Sequence, residues 1–236
     1  MNDERWRFQP LALLRLQSWV SPAFPTGSYA YSHGLEWAVE AGHIHDRKSL
    51  VDWLEADLCH GSGRNEAYFF SEAWRCAVDD DRSKLLEIAE LSAVFRGTAE
   101  FALESSQQGR ACLATLLKVW PDSILDWLSE RLCERLVQPT SAVLLGVRAA
   151  RQSIALGLAL PAFLQSYIAN LVTAGVRLVP LGQTDGQLAI AELEEAVLAV
   201  SFRAGKITME DLGSAAFMVD LASMAHETQY TRLCRS

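Results

Sequence analysis

The chain has 236 residues, half of them hydrophobic and 21% charged, which suits one large domain or two small ones and lies far from a disordered composition. Its 29 acidic residues outnumber 21 basic ones, and no run of Lys or Arg supplies the clustered charge that binds nucleic acid, so that class of partner is not expected. The five cysteines (Cys59, Cys76, Cys112, Cys133, Cys234) are widely spaced and form no Cys-x-x-Cys pair, which argues against a disulfide framework or structural zinc and for a reducing cytoplasm.

Along the chain, the first segment carries charges and then an apolar stretch broken by Arg15 and Gln17, so a secretory leader is not expected. Residues 21–34 place two prolines and two glycines among Phe24, Tyr29, Tyr31 and His33, the pattern of a shaped loop; a plain helix connection is the alternative. Leu50, Trp53, Leu54 and Leu58 then repeat at helical spacing. Asp79, Asp80 and Asp81 read as a solvated turn and helix start. Ser123-x-x-Asp126 predicts a helix cap, followed by the stripe Leu125, Leu128, Leu132 and Leu136.

Between Arg151 and Arg177 no formal charge occurs, a length able to span a bilayer. Pro161, Gln152, Gln165 and Asn170 interrupt it, and two buried helices meeting at Leu160 and Pro161 are expected instead of a membrane span. Residues 180–186 read as a compact turn-rich loop. Thr184-x-x-Gln187 and Thr208-x-x-Asp211 predict further caps, leading into the stripes Ile190, Leu193, Val197, Val200 and Leu212, Ala216, Val219. Gly42, Gly97, Gly157 and Gly205 are expected helix stops. The reading is an all-α fold, a single domain over residues 1–236 with about nine or ten helices between roughly residues 10 and 227.

Catalytic signatures are missing. The segment 182–187 lacks the Lys-Ser/Thr of a phosphate loop, and no Gly-x-Ser-x-Gly elbow occurs. Ser28, Ser32 and His33 read as polar turn residues in preference to a Ser-His pair. Cys59 and His60 would diverge by about 100° on a helix. His226-Glu-x-x-Tyr230 lacks the second histidine of a zinc protease, and His226 reads as a hydrogen-bonded residue at a helix end. Nickel contact by His226 and His33 is the metal alternative, since imidazole suits nickel; His43-x-His45 is a weaker pair.

Four ordered segments carry a family resemblance: Ser21-Pro-Ala-Phe-Pro-Thr-Gly-Ser-Tyr-Ala-Tyr-Ser-His-Gly-Leu-Glu36, Glu104-Ser-Ser-Gln-Gln-Gly109, Arg177-Leu-Val-Pro-Leu-Gly-Gln-Thr-Asp-Gly-Gln187, and the ending His226-Glu-Thr-Gln-Tyr-Thr-Arg-Leu-Cys-Arg-Ser236. Together they resemble the urease accessory protein F family, UreF. The resemblance implies an all-α homodimer in the cytoplasm that binds urease accessory protein D (also called H). It further implies recruitment of the GTPase, accessory protein G, so that the complex delivers nickel to apo-urease. It implies no reaction of the chain's own and no tightly bound cofactor, with nickel handled by the complex and with a regulatory effect on the partner's GTP hydrolysis.

By motif position, partner binding falls on Pro25, Gly27, Ser28, Tyr29, Tyr31 and Glu36 of a loop at 21–36, on Gln183 and Asp185, and on His226, Glu227, Tyr230, Arg232, Leu233 and Arg235 of a tail at 227–236. Cys234 stands where the family has an aromatic, which weakens that position as an anchor. Chemically, Tyr230, Leu233 and Cys234 form an apolar comb with Arg232 and Arg235 between them, the residue types that dominate interfaces. A tail folded back on its own domain is the alternative. The rival from another class is a helical enzyme with a pocket lined by Tyr29, Tyr31, His33 and Glu36.

Overall fold

The computed structural model describes residues 10–235. Residues 1–9, where the leader reading begins, and Ser236 of the tail lie outside that range. Eleven α-helices occur among the described residues: α1 Pro10–Trp19, α2 Leu35–Glu40, α3 Arg47–His60, α4 Ser62–Asp79, α5 Arg82–Val94, α6 Ala99–Val119, α7 Ser123–Glu134, α8 Ser141–Arg151, α9 Leu156–Leu178, α10 Gln183–Ala204 and α11 Phe217–His226. Two single 3-10 turns, Ser28–Ala30 and Met209–Asp211, punctuate the connections. No strand is present among the described residues, and the all-α reading holds.

The helix α4 sits at the centre because its sequence offers apolar or small residues around most of its circumference. Ala67, Phe69, Phe70, Ala73, Cys76 and Ala77 are all buried, and α4 packs against α3, α5, α8, α9 and α10. The broadest contact is with α8, whose residues from Ala142 to Ala149 are buried without a break. Each fully buried Leu or Phe in this core contributes roughly 1.5–3 kcal/mol.

At one edge, α6 runs so close to the connection between α7 and α8 that Gly109 is required. A Cβ built there would lie 1.8 Å from the backbone oxygen of Pro139. That oxygen belongs to the chain entering α8 and cannot move without displacing a core helix. The Gly109→Ala variant is therefore expected to lose at least about 2 kcal/mol of stability through overpacking, read as a lowered midpoint in urea unfolding with circular dichroism.

Several boundaries differ from the sequence reading. The cap of α7 is Asp122, whose side chain accepts from the Ile124 amide at 3.0 Å, and not Ser123. Leu125, Leu128 and Leu132 are buried as expected, but Leu136 lies beyond the helix, 88% exposed at a φ of 57°. The expected break at Leu160 and Pro161 does not occur, and α9 runs continuously through Pro161. Proline there removes a single bond, to the carbonyl of Gly157 one turn earlier, at a cost of about 3 kcal/mol. Burial of Leu160, Phe163, Leu164, Ile168, Leu171 and Val172 outweighs that loss. Gly157 consequently lies in the first turn of α9 and stops nothing.

α9 is the one helix among the described residues long and apolar enough to cross a bilayer, but its buried residues pack on α2, α3, α4, α8 and α10. A core helix passes the same length test. The loop expected at 180–186 is shorter, because α10 starts at Gln183. Gly182, not Thr184, precedes it, and the Asp185 carboxylate accepts the Gly182 amide at 3.2 Å. The Thr208 and Asp211 pair does cap as read, but closes only a 3-10 turn. The chain then stays irregular until Phe217, because Gly213 bonds the Asn65 side chain and the Ala215 amide bonds the His60 carbonyl at 2.8 Å. Tertiary partners replace the helical ones there.

Candidate functional site: a shaped loop and a clasped tail

The second half of the loop after α1 is bounded by glycines in the left-handed region, Gly27 at φ 75° and Gly34 at φ 78°. Gly34 also passes against α11, where a Cβ would come within 2.9 Å of the Ser223 nitrogen. Phe24 anchors the loop's first half, buried and stacked 6.4 Å from Trp120. The 3-10 turn Ser28–Ala30 then sends two tyrosines apart. Tyr29 is 64% exposed, with the Arg177 guanidinium 4.0 Å from its ring centroid and Arg177 Nη2 donating to the Tyr29 carbonyl at 2.8 Å. Tyr31 is buried, and its hydroxyl donates to Gln107 Oε1 at 2.5 Å.

The tail does fold back on its own domain. Glu36, in the first turn of α2 and buried, accepts the backbone amides of Leu233 at 2.6 Å and Cys234 at 2.8 Å. His226, fully buried at the end of α11, lies between two carboxylates: Nδ1 is 2.8 Å from Glu100 Oε2 and Nε2 is 3.5 Å from Glu36 Oε2. Arg232 Nη1 donates to Glu100 Oε1 at 3.1 Å and Nε to the Gln229 carbonyl at 3.2 Å. The Arg235 amide closes on the Ala30 carbonyl at 2.8 Å, which ties the tail to the loop itself.

Two carboxylates, one histidine and one arginine thus bind helix, loop and tail into a clasp, and charge-assisted bonds of this kind are among the strong ones. What the clasp presents outward is Tyr230, fully exposed, and Leu233, 80% exposed. Cys234 is buried. It packs as an anchor despite lacking a ring, which corrects the reading of that position as weakened, and it divides the expected comb into two outward residues and one inward.

The sequence-selected residues therefore separate by geometry. Tyr29, Pro25, Gly27, Gln183, Glu227, Tyr230, Arg232, Leu233 and Arg235 reach the surface, whereas Tyr31, Glu36 and His226 are interior; Ser28 and Asp185 are half-buried, with Asp185 Oδ1 3.7 Å from Arg47 Nη1. Sequence reasoning missed Glu100, the carboxylate shared by His226 and Arg232. Its signal was an acidic residue four before Glu104, a spacing that puts both carboxylates on one face of α6.

The histidines proposed for nickel are both engaged with carboxylates. No group of three or more His, Cys, Asp or Glu side chains is arranged around an ion position among the described residues. His33, at φ 57°, stacks on Phe101 at 3.8 Å between centroids, with Nδ1 3.3 Å from Glu104 and Nε2 3.3 Å from the Tyr167 hydroxyl. Tyr167 in turn donates to Asp57 Oδ2 at 2.5 Å. His43 stacks on Trp53 and lies tilted against Trp37, while His45 is exposed beside Asp46. The pocket expected from Tyr29, Tyr31, His33 and Glu36 is not built that way. A cavity of about 170 Å³ lies nearby, but of those four residues only His33 lines it.

Burial opposes the charged form of His33, but the hydrogen bond it donates to Glu104 and the charges of Glu104, Asp57 and Glu66 outweigh it, so its pKa is raised above 6.5. Burial likewise pushes the Asp57 carboxyl up, against His33 and the Tyr167 hydrogen bond. Both groups bind protons more tightly folded than unfolded, so each contributes stability below its unfolded pKa that is lost as pH rises through the folded value. For His33 that window begins near pH 6.5. Folding stability is expected to decline from pH 6 to 8, and His33→Gln to flatten that decline; urea unfolding at each pH measures it, and an unchanged slope in the variant counts against the His33 pairing.

A protein-family model described as UreF matches residues 44–194. The urease accessory protein UreF of Rhodopseudomonas palustris is 45% identical over 228 residues, covering 97% of this chain and 93% of the relative. Those of Bradyrhizobium diazoefficiens and Granulibacter bethesdensis are 46% and 47% identical over 225 residues, covering 95% of this chain and 92% and 94% of their own lengths.

Proposed function

The chain belongs to the UreF family of urease accessory proteins, and on that premise we propose that it is a non-catalytic cytoplasmic chaperone of urease maturation. It binds accessory protein D (or H), recruits the GTPase accessory protein G, and so promotes nickel delivery to apo-urease; it acts as a homodimer, and nickel travels with the complex and not on a resident site of this chain. The observation that carries this reading is the clasp. Glu36 holds the amides of Leu233 and Cys234 while Tyr230 and Leu233 project into solvent. A terminus held this way loses little ordering entropy on docking, which favours affinity.

Within this reading the exposed residues Pro25, Gly27, Tyr29, Gln183, Glu227, Tyr230, Leu233 and Arg235 touch partners. Ser28, Tyr31, Glu36, Asp185 and His226 hold that surface in shape, and Arg232 does both. Tyr29→Ala removes the ring under Arg177, and Arg232→Ala removes the tail's bond to Glu100. Each is expected to weaken GTPase recruitment at least about tenfold, as truncation of an aromatic or Arg anchor commonly does. Co-purification with the GTPase and the nickel content of urease in a complemented deletion strain are the readouts. Undiminished recruitment and nickel loading in both variants would overturn the reading.

A further inference from the structure

Where the end of α8 meets α1 and the start of α7, three arginines gather around one carboxylate. Arg148 is buried, with its guanidinium 5.5 Å from the Trp19 ring centroid and Nη1 3.1 Å from Asp122 Oδ2. Arg151, with a side chain 42% exposed, reaches the same oxygen through Nε at 3.3 Å. The other oxygen of Asp122 is taken by the Ile124 amide that it caps. Arg15, half-buried on α1, donates to Gln152 Oε1 and has no carboxylate partner among the described residues.

Three guanidiniums against one carboxylate leave two positive charges together, in a chain whose net charge is −8. Arg15 and Arg151 are partly hydrated, but Arg148 is not. Burial, with the two neighbouring guanidiniums, holds its pKa below the ordinary arginine value against the pull of Asp122. Buried charges are screened poorly, so this repulsion persists at physiological salt. The donors left over indicate what relieves it. Neither Nη of Arg151 bonds to the described residues, and Arg15 has met only a neutral amide. Arg148 Nε also lacks an acceptor, but it is enclosed and is not counted as a donor of the site.

We propose that Arg15 and Arg151 form the rim of an oxyanion site whose ligand is a phosphate group, free or as a monoester. Two phosphate oxygens match the paired Nη donors of the Arg151 fork, and a third is left for Arg15. Asp122 grips Arg151 by Nε and so leaves that pair of donors unused. A phosphate dianion neutralises both excess charges, whereas a carboxylate removes only one. A cation is repelled, and a neutral molecule leaves the excess standing.

The test is NMR titration of the full chain at one fixed ionic strength, following phosphorus and the arginine Nε–H signals. Inorganic phosphate, phenyl phosphate, acetate and chloride are the separate arms. Phosphate is expected to bind saturably and at least about tenfold more tightly than acetate, with no saturable response to chloride. Phenyl phosphate separates the two sources: its binding admits monoesters, and binding of inorganic phosphate alone makes the free ion the ligand. Arg151→Gln and Arg15→Gln are each expected to weaken phosphate binding at least about tenfold. Helical content is retained, because neither change removes the Arg148 and Asp122 pair or the cap of α7. Arg110→Gln, which alters an exposed arginine bonded to Gln138 beyond the far end of α7, leaves binding as it was. The absence of saturable phosphate binding, acetate or chloride binding as tightly, parental affinity in either rim variant, or an equal loss in Arg110→Gln would each overturn the proposal. None of these readouts involves accessory proteins, so the docking reading stands or falls separately.

Discussion

Replacing Tyr230 and Leu233 together by alanine is expected to lower affinity for accessory protein D at least about 100-fold while leaving the fold untouched. Both side chains stand in solvent and form no hydrogen bond or ring contact with the described residues, whereas the backbone beside them is clasped by Glu36. Exposed substitutions away from such contacts usually stay within about ±0.5 kcal/mol. For a chain of this size that corresponds to a melting shift of about 2 °C or less. At an interface the same two side chains are large apolar anchors, each able to supply about 2 kcal/mol, and a combined loss near 2.7 kcal/mol is already a 100-fold change.

The double variant is more informative than deleting residues 230–235. Deletion also strips Glu36 of its amide donors and Glu100 of Arg232, so lost binding would be confounded with a disturbed core. Calorimetric titration with accessory protein D, beside thermal melts, separates the two effects. Unchanged affinity in the double variant would remove the tail from the docking surface.

The contrast between what was legible and what was not follows from the range of the forces involved. Helices with a one-sided apolar stripe, such as Leu50, Leu54 and Leu58 in α3 or Leu193, Val197 and Val200 in α10, are set by local periodicity and were readable from spacing. α2, with six residues, is too short to show a period. Pro161 misled because local propensity was overridden by burial against other helices, and residues 212–216 because their hydrogen bonds go to α3 and α4.

At the site, residue types and motif positions singled out Glu36, His226 and Arg232, but the joining of His226 to Glu36 on one side, and to Arg232 through Glu100 on the other, is a matter of contacts more than 100 residues apart in sequence. No spacing rule reaches that far. Contacts far along the chain likewise hid the opposite fates of Tyr29 and Tyr31, two residues apart in a loop whose 3-10 turn no periodicity announces.

Glu36→Ala tests the clasp itself and carries the largest expected cost in stability. It leaves the Leu233 and Cys234 amides without their acceptor and removes one of the two carboxylates beside the fully buried His226. Two orphaned amides at about 1–2 kcal/mol each give an expected loss near 3 kcal/mol, or a fall in Tm of about 6–12 °C. Glu36→Gln keeps one carbonyl oxygen and so one acceptor; its amino group repels the second amide, and the loss should be intermediate. The released tail becomes a better tryptic substrate at Arg232 and Arg235, whose bonds to Glu100 and to the Ala30 carbonyl hold them in place in the parent chain. Partner affinity should then fall in the same order as tail protection, Glu36 above Gln above Ala, because a mobile tail must be ordered again on docking. Tryptic cleavage of the Ala variant at the parental rate would mean that this carboxylate does not hold the tail, and the docking surface would have to be rigid for some other reason.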